Sequence, residues 1–193
     1  MSFHARYSGN RKEAVELIDQ ARHVAATVAS PLTQSWLAAV ASEVHAVVGN
    51  AKDSLGALEQ AGHVLDQADE DDKSSWIGVG TFNHAKLEAY HGVCYLQLGR
   101  PGDAVPVLTR ALDTLDPALK KHRCTALADL ASGLIQLREV EEGCERASQS
   151  LTLAAELRHG VSIDRIRTLE RQLPPSQRSP AVRRLREQLA AVA

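Results

Sequence analysis

The sequence predicts an all-α protein: a right-handed superhelix of antiparallel helix pairs, closed by C-terminal capping helices. Three observations carry that expectation. Apolar residues recur at helical spacing from Val15 to Leu189, and nowhere alternate with a period of two. A turn pattern recurs: Gly99 followed by Asp103-Ala104-Val105 is echoed by Gly9 with Glu13-Ala14-Val15, by Gly49 with Asp53-Ser54-Leu55, and more loosely by Arg138 with Glu142-Gly143-Cys144. The composition is 44% hydrophobic but only 4% aromatic, so the core is built from Ala, Leu and Val, the residues that let helices pack closely.

The best copy of the pattern runs from Ala85 to Pro117, AKLEAYHGVCYLQLGRPGDAVPVLTRALDTLDP. Gly92, Tyr95, Gly99, Ala104, Leu108 and Ala111 occupy the small, aromatic and turn slots of a tetratricopeptide (TPR) repeat, a helix-turn-helix unit of ~34 residues that this stretch resembles. Gly92 admits a close neighbouring helix. Gly99 ends the first helix, where a left-handed residue is needed. Ala104 and Ala111 stay small at the helix crossing, and Leu108 fills the gap. Asp116-Pro117 ends the second helix. Such a unit cannot bury its own apolar face, so repeats must stack.

The other elements follow in order. Val15, Ile18, Ala21 and Ala25 form one stripe, and Leu37, Val40, Ala41, Val44 and Val48 the next. Leu55, Leu58, Ala61 and Leu65 follow. The segment 66–81, DQADEDDKSSWIGVGT, reads as an exposed acidic connector with a hydrophobic plug at Trp76-Ile77. Leu127, Leu130, Ala131, Leu134 and Leu137 make the first helix of the last repeat, faced by Ala147, Leu151 and Ala154. Ile163, Ile166, Leu169 and Leu173 make one more amphipathic helix, stopped by Pro174-Pro175. Ser179-Pro180 then caps a final helix through Val182, Leu185 and Leu189. About four repeats thus occupy 1–157, the first incomplete, and capping helices occupy 158–193 of the same domain.

The chain's beginning departs from the pattern. Counted back from Gly9, Met1 falls in the middle of a helix, so Phe3, Val15 and Ile18 are expected to lack partners. The natural chain is expected to begin further upstream; otherwise a second copy covers this end as a homodimer.

The totals and motifs exclude several function classes. With 193 residues the chain can form one domain that buries roughly 70% of its unfolded surface. A net charge of -2 gives no global field that would attract nucleic acid. Three cysteines, Cys94, Cys124 and Cys144, sit inside helices and read as reduced core thiols of a cytoplasmic protein. No apolar run reaches the ~20 residues of a membrane span, and the first residues lack a signal-peptide core. His84, Glu88 and His91 share a helix face near Cys94, but no second ligand cluster accompanies them, so no metal is expected. His122 and Cys124 lack the acid and oxyanion loop of a nucleophile site. Gly78 and Gly80 lack the Lys-Ser/Thr of a phosphate loop. No catalytic residue, cofactor or enzyme activity is expected. From Arg158 onward stand eight arginines against Asp164, Glu170 and Glu187. They read as a solvated face that complements helix C-termini and the acidic connector, with phosphate contact as the alternative.

The blocks GVCYLQLGRPGDAVPVLTRAL and TALADLASGLIQLREVEEGCERASQSLTLA, with the tail DRIRTLERQLPP…AVRRLREQLA, together resemble the TPR-like C-terminal sensor regions of bacterial Xre-type helix-turn-helix transcription regulators. The resemblance implies a peptide, protein or small-molecule guest in a concave groove, and DNA contact only through a helix-turn-helix domain that this sequence does not include. Mapped by the repeat pattern, the groove carries Trp36, Val40 and Glu43; Asn83, Lys86, Tyr90, Val93 and Gln97; and Thr125, Asp129, Ser132 and Gln136. A purely buried face would not contain Glu43, Lys86 and Asp129. The alternative is a protein-interaction scaffold with no small ligand.

Overall fold

The computed structural model describes residues 11–69, 82–174 and 176–192. Among these residues it contains nine α-helices and no strand, as the periodicity predicts. The chain divides into two compact units, Met1–Gly99 and Arg100–Ala193. The first holds α1 (Arg11–Val28), α2 (Pro31–Val47), α3 (Ala51–Leu65) and α4 (His84–Gln97). The second holds α5 (Pro101–Thr114), α6 (Lys120–Gln136), α7 (Val140–Leu157), α8 (Gly160–Gln172) and α9 (Pro180–Ala191).

In the first unit, Ser30 and Pro31 start α2. The Ser30 hydroxyl accepts the Thr33 N–H at 3.4 Å, and proline at the first helical position leaves no unmet donor there. Gly49 ends the helix at φ +79°. Its N–H bonds to the Ala46 carbonyl at 3.0 Å, and the Asn50 N–H bonds to the His45 carbonyl at 2.9 Å, the double closure of a left-handed helix end. Asn50 then caps α3, its side-chain oxygen accepting the Asp53 N–H at 3.3 Å. One turn therefore closes α2 and opens α3, and fixes the two helices as a hairpin. The Ser35 hydroxyl crosses that hairpin to the Ala61 carbonyl at 2.7 Å, in a fully buried position.

The core of this unit has two parts. Ala14 and Ile18 of α1 pack with Ala41 and Val44 of α2 and Ala57 of α3. Here the structure corrects the sequence reading: Ile18 is not short of partners but is 1% exposed, because α2 and α3 supply the surface that a preceding helix was expected to supply. Phe3 lies outside the described residues. The second part joins α2, α3 and α4 through Leu32, Ala39, Leu58, Ala61, Leu87 and Cys94. Trp76 and Ile77 also lie outside the described residues. Of the acidic connector, residues 66–69 are described, and the Asp66 carboxylate stands 3.3 Å from the His84 imidazole.

In the second unit, α6 and α7 form the corresponding hairpin. Arg138 takes the left-handed conformation, φ +70°, and repeats the closure seen at Gly49: its N–H bonds to the Ile135 carbonyl at 3.0 Å, and the Glu139 N–H bonds to the Leu134 carbonyl at 2.9 Å. Across the hairpin, the Ser150 hydroxyl donates to the Cys124 carbonyl at 2.7 Å, and the Cys124 thiol donates to the Ser150 carbonyl at 3.2 Å. Gly143 marks the closest approach. A Cβ there would stand 2.6 Å from Ile135 Cγ1 and 3.1 Å from the Ala131 carbonyl. Gly92, expected at such a place, is buried in α4.

The last two helices cover α7 as the sequence predicts. Ile166, Leu169 and Leu173 with Val182 and Leu185 close over Cys144, Ala147 and Leu151. Ser179 caps α9, accepting the Val182 N–H at 3.5 Å, with Pro180 at the first turn.

Candidate binding face

Within the first unit, α2 and α4 pack together and carry eight of the groove positions read from the sequence. Trp36 and Tyr90 are half-buried and lie on the same core cluster. The Tyr90 ring meets Phe82 edge-on, with centroids 6.1 Å apart. This leaves each aromatic with a packed side and an accessible remainder. Val40 is half-buried against the Ile18 cluster, and Val93 is half-buried on α4. Glu43 and Lys86 are more enclosed than a wet face requires, at 9% and 4% exposure. Burial pulls the Lys86 ammonium below its ordinary value, because the charged form loses hydration. Asn83 has a structural task as well: its side-chain oxygen caps α4 by accepting the Lys86 N–H at 3.0 Å. Gln97 is exposed at the far end of the same helix.

The remaining positions lie on α6 of the second unit. Asp129 is held by an arginine that the groove reading left out. Arg165 of α8 places Nη1 2.6 and 2.8 Å from the two carboxylate oxygens, with both side chains mostly enclosed. Ser132 is half-buried and accepts a hydrogen bond from the exposed Gln136 side chain at 3.3 Å, while the Thr125 hydroxyl turns back to the Lys121 carbonyl at 3.1 Å. The guanidinium on Asp129 means that this part of α6 presents a neutralised pair. Arg165 stands in the sequence as one of the eight arginines of the C-terminal part, and its partner lies 36 residues away, beyond any local periodicity.

The chemistry weighed for the thiols and histidines takes a definite form. Cys94, Cys124 and Cys144 are free and fully buried. Burial pushes Cys94 up to about 11, helped by the neighbouring Glu43 carboxylate and opposed by the hydrogen bond shared with the Ser42 hydroxyl at 3.2 Å. Cys144 is likewise raised to about 11, mainly by burial. Thiols so raised stay protonated at neutral pH and are poor nucleophiles. His84 turns to Asp66, and the His91 ring lies against Tyr95. Among the described residues, no group of three or more His, Cys, Asp or Glu is arranged to hold a metal, and no helix is long and apolar enough to cross a membrane.

The sequence reading also passed over an open polar cleft between α7 and α9, lined by Glu145, Ser148, Gln149, Thr152, Arg184 and Gln188. Its residues fall on solvent-facing positions that periodicity assigns simply to the outside.

No family model matches the chain, and no curated protein matches it. Among solved structures, it is similar to a Podosopora anserina protein described as a kinesin light chain with nearly identical TPR-like repeats. The TM-score is 0.59 at 17% sequence identity, over 99% of this chain and 90% of that one. The similarity extends over essentially the whole chain and shows that the fold is a TPR-like array of helix pairs.

Proposed function

We infer that this chain is a peptide- or protein-binding module, and that it takes its guest on the face of α2 and α4. The supporting observation is the grouping of two half-buried aromatics, Trp36 and Tyr90, with the enclosed ionic side chains Glu43 and Lys86 on two helices that pack together. Tryptophan and tyrosine are among the residues most enriched at the energetic centres of protein interfaces. The reading is that a short segment of mixed charge places apolar side chains on the rings and its ionic groups near Glu43 and Lys86. In the second unit, Ser132 and Gln136 are separate polar positions on α6, and Asp129 is held by Arg165.

The test uses peptides of mixed charge selected by display against the full chain. Tyr90→Ala and Lys86→Ala should each weaken the selected peptides at least tenfold by calorimetry, with helical content unchanged by circular dichroism. Peptides whose affinity ignores both substitutions would remove this face from consideration.

The finer reading is the sensor region of an Xre-type transcription regulator. It rests on the order of the sequence blocks and on the arginine-rich tail. An in-frame helix-turn-helix coding segment upstream of Met1 would support it, and its absence from the gene would leave the interaction scaffold as the function. Self-association belongs to this finer reading. On α1 the large exposed apolar residues are Val24 and Val28, at 61% and 79%, and light scattering of the isolated chain reports whether they join two copies.

A further inference from the structure

We propose that Phe82 and Asn83 are positioning residues for the binding face: they preset the two side chains of α4 that receive the guest, Lys86 and Tyr90, without contacting it themselves. The inference rests on the reading of α2 and α4 as that face, and it moves Asn83 from contact to support. Both residues stand just ahead of α4. Asn83 is the N-cap, in extended backbone, and its side-chain oxygen accepts the N–H of Lys86 itself at 3.0 Å. The cap therefore fixes the third residue of the helix, which is the buried lysine. Phe82 occupies the position before the cap and Leu87 the fourth position of the helix. Apolar side chains at these two places pin the angle at which a chain enters a helix, and Phe82 and Leu87 are buried in one core cluster.

The Phe82 ring also reaches further along the helix. It meets Tyr90 with ring centroids 6.1 Å apart and planes inclined at 64°, the arrangement in which the positive edge of one ring faces the negative face of the other. Tyr90 follows Lys86 by four residues and so shares its face of α4. Phe82 is buried, whereas Tyr90 keeps an accessible remainder. A tyrosine with nothing beside it exchanges between rotamers and turns broadly about its second side-chain torsion. Set against a buried ring, Tyr90 gives up that freedom before the guest arrives, so binding does not have to order it. Leucine in place of Phe82 would keep an apolar side chain in the core and remove the flat ring against which Tyr90 is set.

The experiment measures the affinity of the full chain for the display-selected peptides of mixed charge, by calorimetry at a temperature where circular dichroism shows every variant fully folded. Lost stability alone then leaves the dissociation constant unmoved. Phe82→Leu should weaken the peptides about threefold to tenfold, and NMR relaxation of the Tyr90 ring carbons should report greater motion in the free protein. Phe82→Tyr, which keeps the ring, should recover most of the loss. Asn83→Ala should weaken the peptides about threefold, and Asn83→Ser, which restores a cap with a hydroxyl in place of the amide, should recover most of that. Unchanged affinity and ring motion in Phe82→Leu, with Tyr90→Ala still weakening the peptides tenfold, would overturn the role of Phe82 and leave the binding face in place. Asn83→Ser as weak as Asn83→Ala would show that the amide itself meets the guest and would overturn the role of Asn83. Peptides indifferent to Tyr90→Ala would remove the face, and this inference with it.

Discussion

The hairpin of α2 and α3 and the hairpin of α6 and α7 solve one packing problem with different residues. Each ends its first helix on a left-handed residue with the same pair of backbone bonds. The first uses Gly49 and the second Arg138. Each ties its helices together with a buried hydroxyl donating to a carbonyl at 2.7 Å, between residues 26 apart in the chain. In the first hairpin the hydroxyl comes from the opening helix, at Ser35. In the second it comes from the returning helix, at Ser150, and Cys124 stands where Ser35 would be. At the crossing, the first hairpin accepts the fully buried Ser54, whereas the second has only Gly143 and no room for a Cβ. The geometry of the repeat is thus held at specific points, and the residue that holds each point is free to change.

The largest test of the comparison comes from two of the buried thiols, Cys94 in the first unit and Cys144 in the second. Cys94 and Cys144 are raised from an ordinary value near 9 to about 11. A group whose folded value is raised contributes stability that is complete below the unfolded value and is lost as pH climbs through the folded one. Each thiol should therefore cost about 2–3 kcal/mol between pH 9 and pH 11. Lys86 acts in the opposite sense over the upper part of that range, since its lowered value makes folding easier as pH rises toward 10.5. Denaturant titrations at stepped pH should show a steep alkaline decline. Cys94→Ala and Cys144→Ala should each flatten it, and unequal flattening would show that the two units do not unfold together.

Next in size is the crossing slot. Gly143→Ala should cost about 1–3 kcal/mol, because Ile135 and the Ala131 carbonyl must both give way. Ser54→Ala at the matching slot should stay within about 1 kcal/mol. Similar costs at the two sites would erase the distinction drawn between the hairpins. The tying hydroxyls come third. Ser35→Ala and Ser150→Ala should each lose about 1 kcal/mol and, being far apart in the chain and in separate units, should add in the double variant. The smallest effect belongs to the turns. Arg138→Gly should gain several tenths of a kcal/mol by relieving the left-handed strain, and Gly49→Ala should lose about 1 kcal/mol. Thermal midpoints moving in opposite directions would confirm that the two turns share one backbone requirement.

Much of the fold was legible because it depends on periodicity and turn chemistry. The stripe of Leu55, Leu58, Ala61 and Leu65 faces the core, and so does that of Ile166, Leu169 and Leu173. The Ser179-Pro180 cap forms as its spacing predicts. Even the loosest echo, at Arg138, marks a real left-handed turn. What local pattern could not supply is pairing between distant residues. The local pattern around Ile18 names no partner for it, whereas α2 and α3 cover it. The groove residues were placed from register alone, and register does not distinguish an accessible Tyr90 from an Asn83 that caps its own helix or an Asp129 already held by Arg165. The polar cleft of α7 and α9 was invisible for the same reason: solvent-facing glutamines and threonines carry no period that separates a wall from an open surface.

The bond between Arg165 and Asp129 also has a consequence for descent. Neither residue can drift alone without stranding a mostly enclosed charge, so a lineage that loses one should soon lose the other. Relatives of this chain should show both or neither, with the pair exchanged for an uncharged one in a single branch and never half-changed for long. That joint inheritance would tie the history of a capping helix to that of α6, and would record in sequence a contact that no repeat pattern contains.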